Sequence, residues 1–265
     1  MRYARIFLFH FQDILQDRSR ALVWFLVAII NPLVAIIFWR GATLDPAASN
    51  SSVSISQISS YYFYLLFASS LLLAHIETDV GYYDIQEGRL TSYLLKPFSY
   101  LQMKFYTEFS YRLVQGFYGI IVFILLRSLI GSFVTFVRTP QAITLIILIG
   151  LLAFCLSFLF KMIIGISALW LVDFRGFQQF SDVVVWLLSG LIVPITFFPS
   201  QIQLVAHVLP FSYMLYHPIL AFQGLYDVNR LVGIALTQII WIALLFGIYK
   251  ILWMRGIKKY TGVGL

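Results

Sequence analysis

The stretch DIQEGRLTSYLLKPFSY, Asp84 to Tyr100, is a polar and charged segment between two long hydrophobic runs. Its two acidic residues, Asp84 and Glu87, are spaced like an acidic form of the N-terminal capping pattern. An apolar patch and a helix-breaking proline follow, at Leu90, Tyr93, Leu94, Leu95 and Pro97. The pattern predicts a short amphipathic helix over residues 84–97. Because so short a helix is marginal alone, we expect it to dock on the bilayer surface or on a partner protein; a plain surface connector is the alternative.

The composition around this segment is that of a membrane protein. Hydrophobic residues make up 61% of the 265 residues and charged residues only 11%, well outside the usage of soluble domains. A single cysteine, Cys155, excludes a disulfide framework within the chain and a cysteine-rich metal site. The sequence therefore predicts an all-α polytopic membrane protein.

Hydrophobic runs of roughly 20 residues, the length that crosses a bilayer, recur along the chain. Six candidate spans are Ala21–Trp39, Ser60–Ile76, Phe109–Ile130, Ala142–Leu171, Val183–Phe198 and Leu231–Trp253. Before them, residues 1–20 place apolar side chains at helical spacing and charged ones elsewhere on the wheel. This pattern favours an N-terminal helix lying in the membrane interface.

The distribution of basic residues predicts the orientation of the chain. Four of the 18 Lys and Arg fall on one side of the predicted membrane and Lys161 falls within a span. The other side carries thirteen: Arg2, Arg5, Arg18, Arg20, Arg89, Lys96, Lys104, Arg112, Arg175, Lys250, Arg255, Lys258 and Lys259. By the positive-inside rule both termini and residues 84–97 are cytoplasmic. We interpret the net charge of +7 as topology and as affinity for membrane lipid, not for nucleic acid.

Two motifs carry a resemblance to ABC-2 type transporter permeases. EGRLTSYLLKP, beginning at Glu87, resembles the signature after the second span of that family. LLSGLIVPITFFPSQIQLVAHVLPFSYMLYHPILAFQG, beginning at Leu187, resembles the fifth span and the hairpin after it. The ending WMRGIKKYTGVGL is similar to a subgroup that pairs two unlike permeases with a separate ATPase.

This resemblance implies a half-transporter whose chain, 1–265, is a single transmembrane domain. It implies a second permease, two copies of an ABC ATPase subunit, and a bacterial cytoplasmic (inner) membrane. The ending of the chain favours a sibling chain as the second permease, and an identical chain is the alternative. Residues 84–97 would be the coupling helix that fits a groove on the ATPase, with contacts from Asp84, Glu87, Gly88, Arg89, Leu90, Tyr93, Leu94, Leu95 and Pro97. No G-x-x-x-x-G-K-[ST] phosphate loop occurs in the chain, so we expect ATP and Mg on the partner and no cofactor or catalytic residue here.

Repeated prolines predict a re-entrant extracellular hairpin over residues 198–218. The prolines break helical hydrogen bonding, and the pieces between them are too short to cross a bilayer; a simple extracellular loop is the alternative. By the resemblance, this region would be an exit gate built from Gly190, Pro194, Ile195, Phe197, Phe198, Pro199, Pro210 and Phe211.

The ionisable residues near the spans give weaker signals. Lys161 is predicted to extend to the inner headgroups, and His75 and Glu77 to be solvated at the interface, with a cation-binding role as the alternative. His207 and His217 have no recognisable metal-site spacing.

The predicted function is export of an amphiphilic or hydrophobic substrate by alternating access, powered by the partner ATPase. A secondary transporter would need acidic groups near the midplane for ion coupling, whereas the acids here lie almost wholly in loops and at span ends. An integral membrane enzyme would need a polar constellation that the sequence does not offer. Both remain as alternatives.

Overall fold

The computed structural model describes residues 55–130 and 139–261, together with isolated positions between Phe7 and Phe38. Every regular element within these residues is helical, which confirms the predicted all-α class for this part of the chain. The α-helices are α1 (Ile55–Leu72), α2 (Leu90–Leu94), α3 (Tyr100–Ile130), α4 (Pro140–Ile166), α5 (Phe174–Leu188), α6 (Ser200–Val208), α7 (Phe211–Met214), α8 (Tyr216–Phe222) and α9 (Val228–Gly256). A π-helix covers Asp79–Gln86, and 3₁₀ turns cover Ser167–Leu169 and Ile195–Phe197.

Three helical stretches of the described residues are long and apolar enough to cross a membrane: Tyr100–Leu125, Pro140–Leu169 and Val228–Gly256. A fourth candidate is the pair Ser200–Val208 and Phe211–Phe222, which is bent by 66° at its break. We call this pair, α6 with α7–α8, the bent pair. The interfacial helix predicted at 1–20 and the span predicted at Ala21–Trp39 lie outside the continuously described residues.

The helices at two other predicted spans have bounds that differ from those of the spans. The helix that contains the predicted third span begins at Tyr100 and not at Phe109, and the charged side chains of its first turns, Lys104 and Glu108, are buried against partners. The predicted fifth span, Val183–Phe198, is not one helix. α5 instead covers Phe174–Leu188 and ends before Gly190, whose φ of +80° belongs to the left-handed region.

The helices pack so that the chain has two distinct ends. α4 and α9 pair along their length, and α1 packs on α3 through aromatic contacts such as Phe63 on Phe123, with ring centroids 4.4 Å apart. The start of α4, the start of α9 and the end of α8 share one apolar cluster. The π-helix, α2 and the end of α9 gather at the opposite end, which we call the α2 end.

Candidate functional site

The second predicted span is interrupted by a break that side chains of α3 and α4 stabilise. α1 ends at Leu72, and residues 73–76 are not helical. The backbone N–H of Ala74 donates to Ser157 Oγ at 2.9 Å, and that of His75 donates to Glu108 Oε1 at 2.8 Å. Backbone groups freed by a helix break inside a membrane must find such partners. The predicted continuous span Ser60–Ile76 is therefore wrong beyond Leu72.

A buried ion pair, Arg112 with Glu108, provides further contacts at this break. Arg112 Nε donates to Glu108 Oε1 at 2.7 Å, and Arg112 Nη1 donates to the carbonyl of Ser70 at 3.4 Å. Both side chains of the pair are about 6% exposed, so little water is available to replace either partner. The pair therefore satisfies the N–H of His75 within the break and the carbonyl of Ser70 before it.

A second buried cluster joins the break to α5, and we call it the ionic node. Lys161 Nζ donates to Glu77 Oε1 at 2.7 Å and also to Asp182 Oδ1. The side chains of Lys161 and Glu77 are only 4% and 3% exposed. The prediction that Lys161 extends to the headgroups is wrong, because its charge is neutralised inside the protein by two carboxylates. The prediction that Glu77 is solvated at the interface fails for the same reason, whereas the His75 side chain is 57% exposed.

Asp84 does not cap a helix. It lies buried near the end of the π-helix, where its Oδ2 is 2.5 Å from Lys104 Nζ and accepts a hydrogen bond from the Tyr100 hydroxyl at 2.5 Å. The predicted helix over 84–97 is therefore wrong in its bounds, since the π-helix ends at Gln86 and α2 covers only Leu90–Leu94. Gly88, with φ of +81°, makes the turn between them.

α2 presents part of its apolar patch outward. Leu90 is fully buried in the protein, whereas Leu94 is 45% and Leu95 is 82% exposed. Glu87 and Arg89 form an exposed ion pair with 3.0 Å between Oε2 and Nη2. The predicted patch is thus divided: Leu90 fixes α2 to the bundle, and the other two leucines form its outer tip.

The C-terminal segment and the start of α3 also hold α2. The Tyr260 hydroxyl donates to the carbonyl of Gly88 at 3.0 Å and lies 3.2 Å from Thr91 Oγ1. Tyr100 stacks on Trp253 of α9 with ring centroids 4.9 Å apart. Tyr93 of α2 packs on the same Tyr100 ring, so the short helix is tied to α3 and to the segment after α9, and through Tyr100 indirectly to α9.

Most of these supporting residues have no recognisable pattern in the sequence, although one signal is present. Lys104, Glu108 and Arg112 recur every four residues and so share one face of α3. That spacing marks a polar stripe on an otherwise apolar helix, and each of the three pairs with an opposite charge. Tyr260 gave no such signal, because its contact with Gly88 joins residues 172 positions apart.

The predicted gate residues lie at the other end of the bundle and fall into two groups. Buried in the chain are Gly190, Pro194, Ile195, Pro210 and Phe211, whereas Phe197 and Phe198 are half-buried and Pro199 is exposed. The Tyr61 hydroxyl donates to the carbonyl of Gly190 at 2.7 Å, and the Tyr62 hydroxyl donates to that of Ile192 at 2.8 Å. α1 therefore fixes the start of this region, and the side chain of Ile195 is enclosed by its own chain.

Two histidines of the predicted hairpin, which the sequence assigned no role, meet inside the bent pair. His207 Nδ1 and His217 Nε2 are 3.2 Å apart, and His217 Nδ1 is 2.9 Å from the Tyr226 hydroxyl. Burial raises the pKa of Tyr226, so its hydroxyl stays protonated and can donate to the imidazole. Among the residues that the structure describes, no group of three or more His, Cys, Asp or Glu could hold a metal ion. The histidines link α6 to α8 across the bend.

Comparisons with known proteins agree with this architecture. A family described as "ABC-2 family transporter protein" matches residues 29–264. No curated protein and no solved structure matches the chain. Because the match extends over nearly the whole sequence and includes both the α2 region and the bent pair, the chain belongs to the ABC-2 family of transporter proteins, membrane components that work with a separate ABC ATPase.

Proposed function

We propose that this chain is the permease subunit of an ATP-driven exporter that moves an amphiphilic or hydrophobic substrate out across the bacterial cytoplasmic membrane by alternating access. ATP and Mg would bind to two copies of a partner ATPase. A sibling permease would complete the pathway, and both termini and α2 would face the cytoplasm.

The observation that carries this proposal is the contrast between the tip of α2 and its base. The tip exposes Leu94 and Leu95, and exposed leucines on a water-facing segment suit a protein contact. The base is held by Leu90, by Asp84 with Lys104, and by Tyr260. A force applied at the tip would therefore reach α3 and α9 through buried contacts, as a coupling element requires.

The bent pair supports a gate at the opposite end. Its 66° bend and its internal polar contacts suit a re-entrant hairpin, whose freed backbone groups need protein partners. We propose that the half-buried Phe197 and Phe198 complete this gate against the second permease. A cysteine at Phe198 in a Cys155→Ser background should cross-link to that subunit, whereas one at the enclosed Ile195 should not.

Co-purification tests the proposed function. The tagged full-length chain, extracted in a mild detergent, should bring down a protein that carries the nucleotide-binding phosphate loop and a second permease. Reconstituted together, these subunits should transport only when ATP is supplied. A chain that purifies alone and transports in response to an ion gradient would contradict the proposal.

A secondary transporter is the alternative that this experiment distinguishes. The sequence predicted that the acidic residues lie almost wholly in loops and at span ends, but Glu108 and Asp182 lie within helices. However, Glu77, Glu108 and Asp182 each accept a hydrogen bond from a Lys or Arg side chain. Carboxylates neutralised in this way are poorly placed to exchange a coupling ion.

A further inference from the structure

A narrow apolar cleft lies between α3, α4 and α9. It has a volume of about 250 Å³, and its lining includes Leu101, Phe105, Cys155, Ile242 and Phe246. Only Gln102 and Tyr106 bring polar side-chain atoms other than the thiol. A cleft of this volume is smaller than the pockets that enclose drug-sized ligands, which favours a segment of a hydrocarbon chain as its occupant.

The cleft lies toward the α2 end of the bundle. Its walls come from the first turns of α3 and from the C-terminal half of α9, whose last residue is Gly256. At 1.5 Å per residue, Phe246 lies roughly 15 Å from the end of α9 along its axis. The 29 residues of α9 make a helix of about 43 Å, longer than the hydrocarbon core of about 30 Å. The cleft therefore lies at the depth of lipid acyl chains.

A basic side chain lies next to the cleft, on the side of the α2 end. The Lys250 ammonium is 4.7 Å from the centroid of the Phe246 ring, one turn further toward the α2 end. Lys250 is exposed, and no carboxylate lies within ion-pair distance of it among the residues that the structure describes. Roughly 9 Å from the helix end, it can reach the level of the headgroup phosphates.

From this arrangement we infer that the cleft binds one anionic phospholipid of the leaflet at the α2 end, with an acyl chain against Phe105, Cys155 and Phe246 and the phosphate at Lys250. The charge of Lys250 selects the occupant, because an unpaired cation beside an apolar cleft matches an anionic headgroup followed by a hydrocarbon chain. The lipid would bridge α3 and α9. α3 also carries Lys104, which pairs with Asp84, and α9 leads into the segment that carries Tyr260.

Cys155 allows a direct test, since it is the one cysteine in the sequence, is half-buried and lines the cleft. The full-length protein in detergent is titrated with dioctanoyl phosphatidylglycerol or dioctanoyl phosphatidylcholine, and the rate of Cys155 alkylation by N-ethylmaleimide is followed by mass spectrometry. We expect phosphatidylglycerol to protect the thiol at concentrations about fivefold lower, as one lysine near the surface contributes about 1 kcal/mol.

Two variants and a control sharpen the test. Lys250→Gln should lose the preference for phosphatidylglycerol, whereas Lys258→Gln, an exposed lysine beyond the end of α9, should keep it. Ile242→Trp should fill the cleft and slow alkylation in the absence of added lipid. Thermal unfolding of each variant establishes that it is folded.

Three results would overturn the inference. The first is equal protection of the wild-type thiol by both lipids. The second is an unchanged preference in folded Lys250→Gln. The third is a thiol that is unreactive without lipid and becomes reactive on dilution of the protein, which would mean that a second permease covers the cleft.

Discussion

Burial of the Lys161 ammonium carries an electrostatic cost at a single position of the fold. It lies in α4 with its side chain 4% exposed, and two carboxylates from different elements meet at its ammonium. Breaking such a cluster costs more than the cluster contributes, because removal of one partner leaves buried charge without compensation. We infer that the role of the ionic node is to hold the break, α4 and α5 in one arrangement.

Replacing this lysine tests that role. We expect Lys161→Met to lower the stability of the protein by about 3–5 kcal/mol, because Glu77 and Asp182 would then repel each other in a buried site. Asp182→Asn should cost less, since Asp182 is 18% exposed and the pair of Lys161 with Glu77 survives. Thermal unfolding in detergent measures both, and equal midpoints for Lys161→Met and the wild type would contradict this account.

Gly190 carries the turn that ends α5. Its φ is +80°, and a Cβ atom there would lie 2.5 Å from the Tyr61 hydroxyl. We expect Gly190→Ala to destabilise the protein by about 1–3 kcal/mol, from backbone strain and from loss of the bond to Tyr61.

A matched substitution in a helix provides the control for Gly190→Ala. Gly233→Ala lies within α9, where no atom outside the adjoining backbone of the same helix comes within 4 Å of the added Cβ, so it should be neutral or stabilising by up to about 1 kcal/mol. The unfolding midpoint should therefore fall in Gly190→Ala and stay the same or rise in Gly233→Ala. A common shift would mean that Gly190 has no special backbone role.

At the scale of elements, α2 depends on contacts that are distant in sequence. Five residues of helix are far too few to be stable alone. The buried Leu90 and the hydroxyl of Tyr260 therefore decide whether α2 keeps its orientation.

Removing that hydroxyl should loosen α2 without unfolding the bundle. Tyr260→Phe loses a bond worth about 1 kcal/mol, so the amides of Leu90–Leu94 should exchange about fivefold faster. Tyr83→Phe is the matched control, because it keeps the ring beneath Arg89. Unchanged exchange in Tyr260→Phe would show that the C-terminal segment does not hold α2.

The elements could be predicted from sequence where hydrophobicity alone decides them. The spans at α4 and α9 follow from long apolar runs, and the interruptions after α5 follow from prolines and Gly190. The break at residues 73–76 and the early start of α3 could not be predicted in the same way. Both depend on buried partners such as Ser157 and Glu108, which lie far away in the sequence.

At the scale of the whole molecule, the two ends of the bundle should face different compartments. The basic bias of 13 to 4 predicts that Ser92 in α2 is cytoplasmic and that Ser51 is external. In a Cys155→Ser background, Ser51→Cys should react with an impermeant thiol reagent added to intact cells, and Ser92→Cys should react only after lysis. The reverse pattern would contradict the orientation.

The central claim is that α2 transmits the action of a separate ATPase to the spans. Its most direct test is the ATP hydrolysis of the ATPase reconstituted with wild-type permease, with Leu94→Asp and with the control Ser99→Asp. Ser99 is also exposed, and an acidic residue just before α3 is tolerated by the helix dipole. We expect the wild type and Ser99→Asp to support substrate-stimulated hydrolysis, and Leu94→Asp to lose it while unfolding at the wild-type temperature. Hydrolysis and transport that are the same in folded Leu94→Asp as in the wild type would contradict the account.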